Sequence, residues 1–257
     1  MFYAKIALLI KGTQRDRARG WSVRLTSRTD PGLVRAKNED CLFGDAKHGF
    51  FAIADGLGGH THGQYCSQMA VDFLSDSAAT TPIVSERDLY ERLRSCNTAL
   101  LNHQKDYPAF ANMRTTMVCA QLLPNNRLAF CWAGDSRLYQ STTDRPLTQL
   151  TQDHTRAMHK KRLGTPVQQG DEHILTKSLG GNQVFEPDCG NVAVATTDRL
   201  LFATDGLTQV VPEEIIQALL SQYPKNSELL ADALMAHATS AGAPDNVSLM
   251  VADITFT

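Results

Sequence analysis

Apolar positions along this 257-residue chain fall into two kinds of run, short and nearly continuous or longer with helical spacing. The short runs predict strands over residues 21–26, 49–54, 115–123, 127–133, 137–141, 191–195, 199–204 and 247–255. Pro124-Asn125-Asn126 separates two of them as a hairpin would, and Gly134-Asp135 marks a tight turn before the next. Helical spacing predicts helices over 64–77, 86–105, 213–222 and 228–240. Ser85 with Asp88 has the pattern of a capping box for the second helix, and Pro212 suits the first turn of the third. In the fourth, Leu230, Leu234 and Ala238 share a face and Gly242 supplies the stop.

Strands therefore cluster, and helices come in pairs between the clusters without strict βαβ alternation. That order predicts an α+β fold of two packed antiparallel sheets flanked by helix pairs, a four-layer α-β-β-α sandwich. No internal repeat or low-complexity linker divides it, so residues 21–257 are expected to form a single domain. Residues 1–20 are expected to be a loosely attached extension. Their apolar run from Ile6 to Ile10 is too short for a secretory core, and Arg15, Arg17 and Arg19 follow it. The least regular stretch, about 155–183, carries Arg156, His159, Lys160, Lys161 and Arg162, then Gly164, Pro166 and Gly170. It reads equally as a surface flap near an active face and as a solvated basic helix.

Composition narrows the class without naming a chemistry. With 42% hydrophobic and 20% charged residues the chain has the balance of an ordinary globular protein. A net charge of −2 gives no reason to expect nucleic acid as a partner. No stretch approaches the roughly 18–20 apolar residues of a spanning helix, so no membrane association is expected. The cysteines, at 41, 66, 96, 119, 131 and 189, show no C-x-x-C pair and no short disulfide-type spacing. They are expected to be reduced and mostly packed, in a cytoplasmic protein. Trp21 and Trp132 are expected in the core.

The candidate chemistry lies in three acidic motifs. Ala54-Asp55-Gly56 and Thr204-Asp205-Gly206 each end an apolar run, and Pro244-Asp245-Asn246 leads into another. A carboxylate at the end of a buried strand is costly when unpaired. Three of them point to shared hard cations, and oxygen ligands suit Mg²⁺ or Mn²⁺ better than zinc. That implies a metal-dependent enzyme acting on phosphate. Upstream, Arg35 lies four residues before Glu39-Asp40. An arginine fork can hold phosphate oxygens bidentately, although taken alone this cluster is more often a surface ion pair. His60, His62 and Cys66 lack a fourth ligand for zinc at short spacing. Gly56-x-Gly58-Gly59 lacks the Gly-Lys-Ser/Thr ending of a nucleotide loop and reads as a turn feeding the first helix. Asp153-His154 is expected to cap the helix after it.

Taken in order, the motifs become informative together. Arg35-x-x-x-Glu39-Asp40, Ala54-Asp55-Gly56-Leu57-Gly58-Gly59-His60, Thr115-Thr116 and Gly134-Asp135-Ser136-Arg137-Leu138-Tyr139 come first. Leu150-Thr151-x-Asp153-His154, Ser178-Leu179-Gly180, Thr204-Asp205-Gly206-Leu207 and Asp245-Asn246-Val247-Ser248 follow. From about Trp21 to its end the chain resembles bacterial metal-dependent protein phosphatases of the type 2C family. The resemblance implies a β-sandwich between two helix layers, with metals in a cleft at one end. It implies that Asp55 bridges two Mn²⁺ or Mg²⁺ ions, that the Gly56 carbonyl binds one of them, and that Asp205 and Asp245 hold the other. Glu39 would contribute through water, Arg35 matches the phosphate-binding arginine, and Asp135 matches the ligand of a weaker third ion shared with Asp205. Asp40 would at best stand behind these ligands.

The implied reaction is hydrolysis of protein phosphoserine and phosphothreonine by a metal-bridging hydroxide, without a phosphoenzyme. The implied partners are phosphorylated proteins, including a Ser/Thr kinase or its targets, acted on by a monomer. Two departures stand out. Some members have a histidine right after Asp-Gly as proton donor; Leu57 stands here, and a metal-bound water is favoured over His60 for that role. Met113-Arg114 precedes Thr115-Thr116 where glycine is common, which is expected to alter packing and not activity. A catalytically silent binding module would be expected to have lost the metal set, yet Asp55, Asp205 and Asp245 are all present.

Overall fold

A strand covered on both faces reads as a continuous apolar run, because alternate side chains enter two different cores. The stretch Phe50–Leu57 shows this: Phe51 and Ile53 enter one core, while Phe50, Ala52 and Ala54 enter another. The computed structural model describes residues 12–16, 20–58, 62–142 and 145–256. Its elements are, in order, β1 (Gly12–Asp16), β2 (Trp21–Asp30), β3 (Asp40–Asp45), β4 (Phe50–Leu57), α1 (His62–Thr80) and α2 (Glu86–Asp106). Then come β5 (Arg114–Thr115), β6 (Met117–Leu123), β7 (Arg127–Ala133), β8 (Arg137–Thr142), β9 (Arg145–Gln149) and α3 (Arg156–Arg162). The chain continues with β10 (Asp188–Ala193), β11 (Arg199–Ala203), α4 (Asp205–Thr208), α5 (Glu213–Gln222), α6 (Ser227–Ser240) and β12 (Val247–Phe256).

One sheet runs β1-β2-β12-β11-β8-β9 and the other β10-β7-β6-β4-β3, with the short β5 on the end of β4. Neighbours are antiparallel in both sheets. Val23, Phe51, Ile53, Val118, Phe130, Phe202 and Met250 fill the space between the sheets. The rings of Phe51 and Phe202 meet there at 5.7 Å. Outside, Leu74, Leu89, Leu93 and Leu100 of α1 and α2 pack on one sheet; Ile216, Leu220, Leu230 and Leu234 of α5 and α6 pack on the other. The layers are α-β-β-α, as the order of elements predicts. Trp21 and Trp132 are both buried.

The local signals are realised with small shifts. The Ser85 hydroxyl accepts from the Asp88 N–H at 3.1 Å, while the Asp88 carboxylate reaches the Val84 N–H, one residue further out than Ser85. Pro212 stands at the cap of α5 and not inside its first turn. Gly242 takes φ +100° and lets Ala243 donate to the Ala238 carbonyl at 3.0 Å, closing α6.

Several elements were not foreseen. β3, β9 and α4 are short and carry polar or proline residues at their ends or edges, so periodicity does not reveal them, whereas α3 realises the basic-helix reading of the stretch after Thr155. Within the stretch expected to be a loose extension, Gly12–Asp16 pairs with β2 from Gly12↔Leu25 to Asp16↔Trp21. Residues 1–11 and 17–19 lie outside the described residues. The expectation of six reduced cysteines is corrected: Cys131 and Cys189 are bonded to each other, and the other four are free. These two are opposite one another in the β7–β10 ladder, a pairing that register creates across 58 residues of sequence and that spacing cannot show. Among the described residues no helix is long and apolar enough to cross a membrane.

Candidate active site

Both sheets deliver acidic residues to the same end of the sandwich. Asp40 opens β3 and lies directly opposite Asp55 of β4 in their ladder. Asp205 follows β11 and starts α4, and Asp245 precedes β12, the antiparallel neighbour of β11. Asp135 sits in the turn from β7 to β8, and β8 flanks β11 on its other side. The glycines after two of these aspartates are fixed by space. A Cβ on Gly206 would stand 2.0 Å from the Asn246 carbonyl oxygen, and one on Gly56 would stand 2.1 Å from that of Gly63. The Asp-Gly pairs therefore let neighbouring backbone close in on the site, which a side chain would prevent.

Burial, then mutual repulsion, governs the electrostatics. The carboxyl groups of Asp55 and Asp205 are neighbours that act directly on one another's pKa. Burial raises the pKa of Asp55 well above its ordinary value, with Asp40, Asp205 and Asp135 adding to the rise. Asp40 is raised likewise by burial, against the Ser248 and Thr204 hydroxyls, the latter donating to Asp40 Oδ2 at 2.9 Å. Asp135 is pushed up to about 8 by burial and by Asp205. Burial also raises Asp205. Asp40 Oδ1 and Asp205 Oδ1 are buried with no hydrogen-bond partner among the described residues. Buried polar oxygens are ordinarily satisfied, so orphaned carboxylate oxygens beside repelling neighbours call for a cation. The donors are hard oxygens, and Mn²⁺ or Mg²⁺ fits them.

Glu39 and Asp245 stand at the edge of this cluster. The Glu39 carboxylate takes the Gln64 N–H in the first turn of α1; burial raises its pKa, against the pull of Arg35. One oxygen of Asp245 accepts from the Asn246 N–H at 2.8 Å, and the other is paired with Arg35 Nη2 at 2.9 Å. The Arg35 side chain remains 56% exposed, so its guanidinium faces both the carboxylate and solvent. Among the described residues no three His, Cys, Asp or Glu side chains close around a single point. The acidic groups meet pairwise.

The scaffold behind these groups was carried in the motifs but not legible as such. Thr116 brackets Asp55: its N–H donates to the Asp55 carbonyl at 2.8 Å, its hydroxyl accepts the Asp55 N–H at 2.9 Å, and Ser136 holds that hydroxyl at 2.7 Å. Thr115 adds a second donor to the same carbonyl. Asn246 accepts from the Glu39 N–H and donates to the carbonyls of Pro31 and Lys37, pinning the Arg35 loop against Asp245. The capping role expected of Asp153-His154 is corrected, because Thr155 caps α3 by accepting from the Met158 N–H at 3.2 Å. Asp153 instead receives both arms of Arg137, at 2.9 and 2.7 Å.

His60 lies outside the described residues. The His62 ring is tilted by 50° against Phe110 at 5.3 Å, and Cys66 is buried with its thiol pushed up to about 12, far from the thiolate a zinc site requires. Met113 is fully buried, so its departure from glycine is absorbed by packing.

A model of the protein phosphatase 2C family matches residues 35–243. The serine/threonine protein phosphatase PstP of Mycobacterium tuberculosis is 34% identical over 241 residues, which are 90% of this chain and 45% of that protein. The serine/threonine phosphatase stp of Listeria innocua is 30% identical over 239 residues, 88% of this chain and 94% of its own length. The chain thus spans less than half of the mycobacterial relative it matches and nearly all of the listerial one. Among solved structures, the catalytic domain of PstP in complex with two manganese ions superposes with a TM-score of 0.81 at 33% identity, covering 91% of this chain and 99% of that domain.

Proposed function

Because the chain belongs to the protein phosphatase 2C family, we propose that it is a metal-dependent phosphatase for phosphoserine and phosphothreonine in proteins. The observation that carries this reading is the gathering of buried, mutually repelling carboxylates at the sheet ends, with Asp55 against Asp205 and orphaned oxygens on Asp40 and Asp205. In this reading Asp55, the Gly56 carbonyl, Asp205 and Asp245 hold two Mn²⁺ or Mg²⁺ ions, Glu39 assists through water, and Asp135 with Asp205 offers a place for a third. Such cations lower the pKa of a bound water and neutralise phosphoryl oxygens, which together lower a barrier that is among the highest known for uncatalysed reactions. Arg35, exposed on a loop pinned by Asn246, presents its guanidinium to the phosphate. Thr116 and Ser136 keep Asp55 aimed at the cluster while substrate exchanges. The substrates are phosphorylated proteins, including a Ser/Thr kinase or the targets of one.

Hydrolysis of p-nitrophenyl phosphate and of a phosphothreonine peptide with Mn²⁺, with and without EDTA, tests this. Asp205→Ala is expected to lose at least about 1000-fold in kcat, the equivalent of about 4 kcal/mol. Activity that persists in excess chelator, or an unchanged rate in Asp205→Ala, rejects the reading. Tight phosphopeptide binding without turnover would point to a silent binding module instead.

A further inference from the structure

His154 is a largely buried side chain, hydrogen-bonded on both ring nitrogens, that has no part in the proposed reaction. Its side chain is 11% exposed, and its ring lies parallel to the Trp132 indole, 3° apart in tilt at a centroid distance of 5.8 Å. Both ring nitrogens are engaged. The Gly134 N–H donates to Nδ1 at 3.1 Å, so in the neutral ring the proton sits on Nε2, which donates to Asp188 Oδ2 at 2.8 Å. Burial lowers the pKa of His154 against the pull of Asp188, which keeps the ring neutral and Nδ1 free to accept. The backbone N–H of His154 also donates to the Gly134 carbonyl at 2.9 Å. One residue therefore grips Gly134 by both its donor and its acceptor.

Gly134 has little freedom to answer. It holds φ +110°, and a Cβ there would stand 2.6 Å from the Thr116 side chain that brackets Asp55. The next residue is Asp135, whose buried carboxyl interacts with Asp205 and Asp55. The other side of the hub faces the 155–183 segment. Lys177 is paired with Asp188 Oδ1 at 2.6 Å, and the His154 carbonyl accepts from the Thr176 N–H at 2.7 Å. Asp188 itself opens β10, opposite Trp132 in the ladder. His154 thus stands between the two ends of that segment and the turn that carries Asp135.

We propose that His154 is a positioning residue for Asp135: it fixes the Gly134–Asp135 turn and, through Asp188 and Lys177, ties the seating of that carboxylate to the docking of the 155–183 segment. The proposal rests on the reading of Asp135 as a cation ligand. A side chain that orients a ligand from behind typically controls about 10- to 100-fold in metal affinity. Loss of His154 is therefore expected to act on one cation and not on the whole site.

Calorimetric titration of the full chain with Mn²⁺, alongside p-nitrophenyl phosphate kinetics, tests it, with Asp135→Ala as the reference. Asp135→Ala should abolish one binding step. His154→Ala should weaken that same step by about 10- to 100-fold and leave the others as in the wild type. Its kcat should fall at fixed Mn²⁺ with KM unchanged, and more Mn²⁺ should restore it. His154→Asn keeps an acceptor for the Gly134 N–H and should recover most of the affinity; Asp188→Ala should weaken the same step by releasing the ring. Should His154→Ala fail to fold, the His154→Asn and Asp188→Ala titrations carry the test. Wild-type affinity in His154→Ala or in Asp188→Ala, equal weakening of every step, or an Asn variant no better than Ala overturns the proposal while leaving Asp135 a ligand. If Asp135→Ala removes no step, the reading of Asp135 fails as well, and the two failures are distinguished by that reference variant.

Discussion

An aspartate that ends an apolar run announces itself in sequence, because nothing in the fold would place a charge there for stability alone. Asp55 and Asp205 were legible in that way, Asp245 by leading into such a run, and the structure brings them to one end of the sandwich with Asp40 and Asp135. Arg35 was legible only through the order of motifs. Its pairing with Asp245 required the tertiary structure, and it sharpens a prediction. Arg35→Ala should lower kcat/KM for a phosphopeptide by about 10- to 100-fold, the worth of a charge-assisted hydrogen bond to phosphate. Calorimetry should show Mn²⁺ binding to the same variant undiminished, since the substitution removes a competitor for the Asp245 carboxylate. Loss of Mn²⁺ affinity in step with activity would contradict that division of roles. Gly206→Ala should destabilise the protein by about 1–3 kcal/mol in a denaturant melt, because the new methyl meets the Asn246 carbonyl with no room to relax. Stability equal to the wild type would mean that the backbone there yields.

Elements were legible where burial made them regular. α5 coincides with the predicted range, and α2 and β7 agree within a residue, because each presents a long apolar pattern to a core. β3, β9 and α4 escaped because short edge or connecting elements owe their conformation to neighbours and not to their own periodicity. Two substitutions separate local from packing energies. Ser85→Ala removes the acceptor for the Asp88 N–H and should cost about 1 kcal/mol in chemical denaturation with kcat unchanged, since α2 packs on the outer face of its sheet. Phe202→Ala opens the inter-sheet core beside Phe51 and should cost about 3–5 kcal/mol in the same assay. Similar losses for the two variants would show that the space between the sheets does not dominate stability.

At the scale of the whole molecule the acidic site makes stability depend on pH in an unusual direction. Asp135 rises from an ordinary 3.8 to about 8, and Asp40, Asp55, Asp205 and Glu39 are shifted the same way. Between those limits the folded chain holds protons that the unfolded chain has released, so stability falls as pH rises through the window. Asp88, Asp171, Glu172 and Asp188 are shifted downward, but their contributions change only below the ordinary carboxylate range. The lowered pKa of His154 is a single opposing contribution that ends at its ordinary 6.5, against five raised carboxyl groups. In EDTA the melting temperature should therefore decrease from pH 5 to pH 8. Added Mn²⁺ should raise it most at pH 8, in proportion to the logarithm of concentration above its Kd. A melting temperature that climbs with pH in EDTA would remove the case for a repelling carboxylate cluster. The sequence by itself determined the layer order, the outer helices and the acidic strand ends, because burial on alternate faces and the cost of stray charge are properties of local pattern. Only the tertiary structure decided that Thr116 brackets Asp55, that Cys131 meets Cys189, and that His154 grips Gly134 instead of capping α3. Those contacts join residues 20 to 61 positions apart, and their partners are chosen by strand register and loop docking, which no local pattern encodes.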